Sequence, residues 1–565
     1  MKTNRTNLNK CLSALIMVTL VLGCSGNQKK YRSIADATYD EEVPITYYEE
    51  SEKHSETPPP PPASNAQPEI LNIVEDEAYY TEDEAVNYIA REVVSNNRGE
   101  EYNPIKENVF NLVSKAPLST FSIDVDAASY SNMRRYINQG SLPAPDAIRT
   151  EELINYFTYN YGLPECKDPV KISLEAGTCP WNEKHRIVHI GLKAKEIAGD
   201  KLPASNLVFL IDVSGSMEGR NRLDLVKSSL KLLVNNLRKK DRVAIVVYAG
   251  SAGEVLPSTS GKNKQKIREA LDQLSAGGST AGGEGIQLAY KIAKKNFING
   301  GNNRIILCTD GDFNVGISSK DGLEKLIETE RKSGVFLTVL GYGMGNYKDN
   351  RMQVLAEKGN GNHAYIDNLQ EANKILVNEF GGTIYTVAKD VKLQVEFNPA
   401  QIQAYRLIGY ESRMLRDEDF NDDTKDAGEM GAGHTVTALY EIVPVGVEFE
   451  YGKNIDPLKY QANDTENKTR SKELLTVKMR YKLPDENVSK MLEKVLTDNK
   501  SGQTSTDFRF SSAVAMFGQL IRNSEYKGNA TFDKVITLAK NAYGEDEQGY
   551  RREFVRLVET AKGLN

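Results

Sequence analysis

Histidine and cysteine are scarce in this chain of 565 residues, five of each, and neither falls into a CxxC or HExxH spacing. A thiolate or histidine zinc site therefore has no signature to rest on. Long apolar runs are scarce too. Beyond residue 24 nothing approaches the ~18 uninterrupted apolar residues that a membrane-spanning helix needs. Excess positive charge is also missing from the folded part. Residues 33 to 84 hold 15 Asp or Glu against one base, Lys53, which leaves residues 85 to 565 at a net charge of about +1. A near-neutral body argues against a nucleic-acid binder.

What is present at the start of the chain is polar, then apolar, then acidic. Lys2, Arg5 and Lys10 precede LSALIMVTLVLG, too short to span a bilayer and suited to the apolar core of a signal peptide. Val21-Leu22-Gly23-Cys24 is similar to the lipobox of bacterial lipoproteins, which implies cleavage after residue 23 and a lipid on Cys24. The expectation is a signal peptide over 1–23 and a lipid-anchored protein of the bacterial cell envelope. Ser25, in place of Asp after the cysteine, points to the outer membrane. Residues 24–104, acidic and with prolines from Pro58 to Pro62, cannot bury enough apolar surface to offset chain entropy and are expected to form a disordered stalk. Cys166 and Cys179 flank the strand-like VKISLEAG and are a possible disulfide pair in an oxidising compartment.

Between about 200 and 385 the pattern is regular. NLVFLIDV, RVAIVVYAG, RIILCTDG and VFLTVLGYG read as buried strands. LDLVKSSLKLLVNNLRKK, KIREALDQLSA, GIQLAYKIAKKNF, DGLEKLIETERKSG and LQEANKILVNEFGG read as amphipathic helices between and after them. Continuous apolar strands alternating with helices mean an α/β fold, a doubly wound and mostly parallel sheet covered on both faces. Its ligand site belongs at the carboxyl ends of the strands. The flanks read differently. Residues 105–199 mix helical and extended pieces, and 386–565 are β-rich to about 484 and then helical, so they are expected as an N-terminal and a C-terminal flanking domain.

One rim gathers the chemistry. FLIDVSGSM ends a strand with Asp212, Ser214 and Ser216; LSAGGSTAGGEGI carries Thr280 among glycines; ILCTDG carries Asp310. Two carboxylates and three hydroxyls are hard oxygen ligands, suited to Mg²⁺, Mn²⁺ or Ca²⁺. A serine hydrolase would need Gly-x-Ser-x-Gly and a late histidine, whereas Val213 precedes Ser214 and no His lies in these loops. A phosphate loop would need Lys where Glu284 follows Gly283. Asp124-Val125-Asp126 with Ser129 mimics the same pattern but lacks a second serine, and reads as a helix start capped by Asp126.

DVSGSM, the Gly-rich loop with Thr280 and then TDG resemble the von Willebrand factor type A domain with a complete metal-ion-dependent adhesion site (MIDAS). The resemblance implies that Ser214 and Ser216 bind the metal directly, Thr280 directly or through water, and Asp212 and Asp310 mainly through water. STFSIDVDAASYSNMRR, TCPWNEKHRIVHIGL and FRFSSAVAMFGQLIRNS are similar to a group of bacterial lipoproteins that joins this domain to flanking regions of its own. That group is sometimes labelled calcium-activated chloride channel-like. With no apolar span there is nothing here to conduct ions, and the HExxH of protease relatives is missing. The resemblance implies a binding protein and not an enzyme: a divalent ion, Mg²⁺ first, whose open position takes an Asp or Glu of a protein partner. Two other readings stay open: an envelope scaffold in which the ion only stabilises the fold, and a metal-assisted hydrolase with Glu284 as base.

Overall fold

The strand β5 (Ser205–Asp212) is buried along all eight residues, SNLVFLID. A strand without a solvent-facing side must be covered on both faces, and its neighbours are arranged accordingly. A computed structural model describes residue 100 and then 102–565, save 166, 200, 279–281, 312–319, 345–347, 381–384, 426, 450, 452–471 and 499–502. In it β5 lies within a six-stranded sheet beside β6 (Arg242–Tyr248) and β8 (Asn302–Thr309), both parallel to it. Outside β8 follow β9 (Phe336–Gly341) and β10 (His363–Tyr365), also parallel; outside β6 lies β7 (Ala252–Ser260), antiparallel. The doubly wound, mostly parallel sheet is as expected. The edge strand β7 was not, because Pro257 and the polar ESTS-like texture of AGEVLPSTS hide it; an edge is where a strand tolerates Pro.

Alternation along β5 divides the domain into two cores. Leu207, Phe209 and Ile211 pack with α3 (Leu223–Asn236), α4 (Lys264–Asp272) and α8 (Leu369–Asn373). Val208 and Leu210 pack with α5 (Gly282–Lys295), α6 (Lys320–Glu330) and α7 (Asp349–Lys358). Each such fully buried aliphatic contributes about 1.5–3 kcal/mol. After α8 the chain continues as a single π turn, Lys374–Asn378.

The two flanks do not form separate domains; they share their sheets. One sheet runs β1 (Asn111–Leu112), β12 (Ile402–Ile408), β15 (Thr435–Pro444), β4 (Asn182–Ala194), β3 (Val170–Cys179). The other runs β13 (Met414–Leu415), β2 (Leu118–Ser122), β11 (Thr386–Phe397), β16 (Glu473–Lys482), β17 (Lys490–Thr497), with β14 (Gly428–Gly431) on β11. Strands from before and after the central domain pair directly, β2 with β11 and β4 with β15. The sheets close on one apolar core in which Phe397 stacks on Tyr405 at 3.9 Å between ring centroids. Period-two patterning marks the longer strands up to about residue 484, but not β17, which stands where helix was expected, nor that segments some 270 residues apart in sequence complete one sandwich.

On the outer face of the first sheet lies a helical layer. It consists of α1 (Ala128–Asn138), α2 (Thr150–Asn155) and the three expected C-terminal helices, α9 (Thr506–Ile521), α10 (Phe532–Lys540) and α11 (Tyr550–Leu564). Cys179 is a free thiol buried in this layer's core, where burial pushes it well up. The possible pairing with Cys166 falls on a residue that lies outside the described ones. Cys24, the signal segment and the acidic stretch lie outside them too. Asp126 also differs from expectation. The helix begins where it was placed, but Glu152 Oε2 accepts the Ser129 N–H at 2.8 Å, while Asp126 Oδ1 accepts the backbone N–H of His363 at 3.0 Å. Asp126 thus ties the flank to the central sheet. Among the described residues no helix is long and apolar enough to cross a membrane.

Candidate metal centre

Asp212 is the last residue of β5, and Asp310 follows β8, its parallel neighbour, so both carboxylates stand at the same end of the sheet. Both are buried, Asp212 wholly so and Asp310 at 5% exposure. Asp212 is held on both oxygens. Oδ1 accepts the Ser214 N–H at 2.9 Å, and Oδ2 accepts the Thr309 hydroxyl at 3.1 Å. Burial, with the nearby Asp310 charge adding to it, pushes the Asp212 carboxyl up to about 6, against the bonds from Ser214 and Thr309.

The serines complete the rim. Ser214 is buried and Ser216 exposed, and their Oγ atoms are 3.0 Å apart. Adjacent ligands of an octahedral Mg²⁺ at ~2.1 Å stand about 3.0 Å apart, so the hydroxyl pair matches that geometry. The Gly-rich loop is laced to the serine loop: Gly215 N–H donates to Gly278 O at 3.0 Å, and Gly277 N–H to Val213 O at 2.7 Å. Gly278 adopts φ +85°, open to glycine at little cost. Three residues of this loop, Ser279, Thr280 and Ala281, lie outside the described residues, so Thr280 is not placed. Glu284, the base a hydrolase would need, is exposed in the first turn of α5.

The donor set fits a hard divalent cation. Two buried carboxylates of like charge converge with two hydroxyls, and solvent reaches the group at Ser216. Among the described residues no three His, Cys, Asp or Glu side chains gather as a metal-holding group, and a cation on this rim would draw on hydroxyls as well. Sequence reasoning missed the support around them. Thr309 bonds Asp212 and also accepts the Gly311 N–H at 3.1 Å; it is the Thr of TDG, adjacent to a residue already singled out. Tyr248, at the end of β6, is buried beside the pair, and burial with the Asp212 charge pushes its phenol well up.

Comparison with known proteins accounts for most of the chain. A family model described as von Willebrand factor type A domain matches residues 206–378, and one described as von Willebrand factor matches 96–189. A third, described as Uncharacterized protein YfbK, C-terminal, matches 382–564. The Uncharacterized protein YfbK of Escherichia coli (strain K12) is 46% identical over 471 residues, 82% of this chain and 81% of its own length. The chain belongs to the YfbK family. A UPF0353 protein of Mycolicibacterium vanbaalenii is 26% identical over 222 residues, 36% of this chain and 61% of that one. Among solved structures, BatB from Bacteroides thetaiotaomicron is 23% identical, covering 31% of this chain and 97% of its own, at a TM-score of 0.27. The three family matches follow the architecture described above: in this YfbK-family chain the type A domain is inserted between the two halves of the sandwich.

Proposed function

We propose that this protein is a lipid-anchored cell-envelope module that captures a protein partner through a divalent ion, Mg²⁺ first, held at the end of the type A sheet. The observation carrying the reading is the convergence of Asp212, Asp310 and the 3.0 Å Ser214–Ser216 hydroxyl pair on one rim. Ser214 and Ser216 would hold the ion directly, and Asp212 and Asp310 mainly through water, with Thr280 as a further ligand. A bound ion supplies an electrophilic position that takes an Asp or Glu side chain of the partner. Thr309 fixes the orientation of Asp212, and Ser216 sits where the partner approaches. The result is binding without a reaction.

The test is capture from bacterial envelope extract on the immobilised protein in Mg²⁺ and in EDTA, with wild type and Asp212→Ala. The reading expects a partner retained only by wild type in Mg²⁺. Identical capture in all arms defeats it. A scaffold reading has one observation in its favour: Arg134 of α1 bonds Asp367, Glu371 and Glu553, which locks the type A domain to the flanks. Under that reading Mg²⁺ raises the melting temperature of the protein while no partner depends on it.

A further inference from the structure

Along the β8–β9 side of the central sheet a cavity of about 780 Å³ opens between the type A domain and the sandwich. Its walls come from β8 and β9 on one side and from β11 and the Gly428–Gly431 strand on the other. Arg304, the third residue of β8, lines it. Six residues separate Arg304 from Asp310, or ~20 Å of strand, so this is not the metal centre.

Arg304 is a buried cation without a salt bridge among the described residues. It is 4% exposed, its Nη1 donates to Thr338 Oγ1 at 2.6 Å, and its Nε has no hydrogen-bond partner. Among the described residues no carboxylate forms an ion pair with it. Desolvation pushes the guanidinium down to about 10, opposed only by the charge of Glu429. The contrast with the other arginines at this junction is sharp: Arg134 and Arg149 are as well buried, and both are paired with carboxylates. A buried charge left unpaired lowers stability, so a position that keeps one calls for a counter-ion from outside the chain.

The lining narrows the class of counter-ion. The core around Ile306 and Leu340 is closed, and the apolar surface it turns to the cavity is that of Ile375 and Phe380, both half-buried against it. Of the acids that line the cavity, Glu328 is paired with Lys358 and Glu357 with Arg413, while Glu429 is the one whose charge Arg304 feels, and a doubly charged anion is disfavoured beside it. A planar carboxylate matches the guanidinium fork, and the volume lies in the range of small-molecule sites. We infer that this cavity binds an organic monocarboxylate, its carboxylate on Arg304 and its apolar body against Ile375 and Phe380.

Calorimetric titration of the full chain in EDTA tests this with octanoate, octanol and inorganic phosphate, on wild type, Arg304→Gln and Arg304→Lys. The inference expects saturable one-to-one octanoate binding, weakened about 10- to 100-fold in R304Q and less in R304K, the loss of one charge-assisted contact. Octanol should bind at least ~10-fold more weakly than octanoate. R304Q should melt no lower than wild type, since it removes an unpaired charge. No saturable octanoate binding, equal binding by wild type and R304Q, or a preference for phosphate each overturns the inference. If R304Q does not fold, R304K decides: loss of folding there too makes Arg304 a structural cation and overturns the proposal, and retained octanoate binding supports it.

Discussion

Arg134→Met is expected to divide one unfolding transition into two. Arg134 is 1% exposed on α1, and it bonds Asp367 at 2.8 and 2.5 Å, Glu371 at 2.7 Å, Glu553 at 3.1 Å and the Tyr156 hydroxyl at 3.0 Å. Asp367 and Glu371 belong to the end of the type A domain and Glu553 to α11, so one side chain joins the domain to the helical layer. Methionine fills similar volume without charge and strands three carboxylates. Breaking a buried pair in this way costs about 3–5 kcal/mol. With an unfolding entropy of ~1 kcal/mol/K for several hundred residues, the fall in Tm is about 4 °C. Burial and the charges of Glu371 and Glu553 already push the Asp367 carboxyl up, while Arg134 pulls it down. The folded variant therefore holds more protons than folded wild type, and the stability gap narrows as pH falls from 7. Differential scanning calorimetry at pH 7 and at lower pH reads both effects. A wild type that already melts in two steps, or an R134M protein within 1 °C of it at pH 7, refutes the reasoning.

Two further outcomes follow from buried groups. Thr309→Val removes the hydroxyl that supports Asp212 without removing a metal ligand; affinity for Mn²⁺ should fall about 10- to 100-fold, with recovery in Thr309→Ser, as titration calorimetry would show. Unchanged affinity in T309V contradicts the role given to Thr309. His189, buried with its Nε2 3.2 Å from the Tyr161 hydroxyl, is held down to about 4 by desolvation. The unfolded ring takes a proton below ~6.5 and the folded ring does not, so its contribution is present above ~6.5 and is lost as pH falls toward 4, by about 3 kcal/mol at most. Histidine NMR titration checks this, and a His189 signal moving near pH 6.5 contradicts it.

How much of this could be read from sequence depends on how local each signal is. The central strands and most helices of the type A domain announce themselves, because a strand buried on both faces is apolar throughout and its helices carry spacings of three and four. Asp212, Ser214, Ser216 and Asp310 were legible for the same reason: the strand ends locate them, and topology brings β5 and β8 side by side. The sandwich was not. Phe121 of β2 opposes Leu393 of β11 across an entire inserted domain, and nothing near either residue encodes that pairing. The role of Asp126 was misread because a local cap and a long-range bond to the His363 N–H use the same carboxylate, and only tertiary packing selects between them. Arg304 went unmarked because a lone Arg at the start of a strand looks like a solvent-facing end until the sandwich is seen to cover it.

The central claim is that a metal held by Asp212 and its neighbours controls partner binding. Its most direct measurement is Mn²⁺ titration of wild type and Asp212→Ala, followed on the same samples by binding of the captured envelope partner. The account predicts one Mn²⁺ site in wild type, its loss in D212A, and partner binding that follows metal occupancy. Partner binding of equal strength in D212A, or in wild type stripped by EDTA, would contradict it.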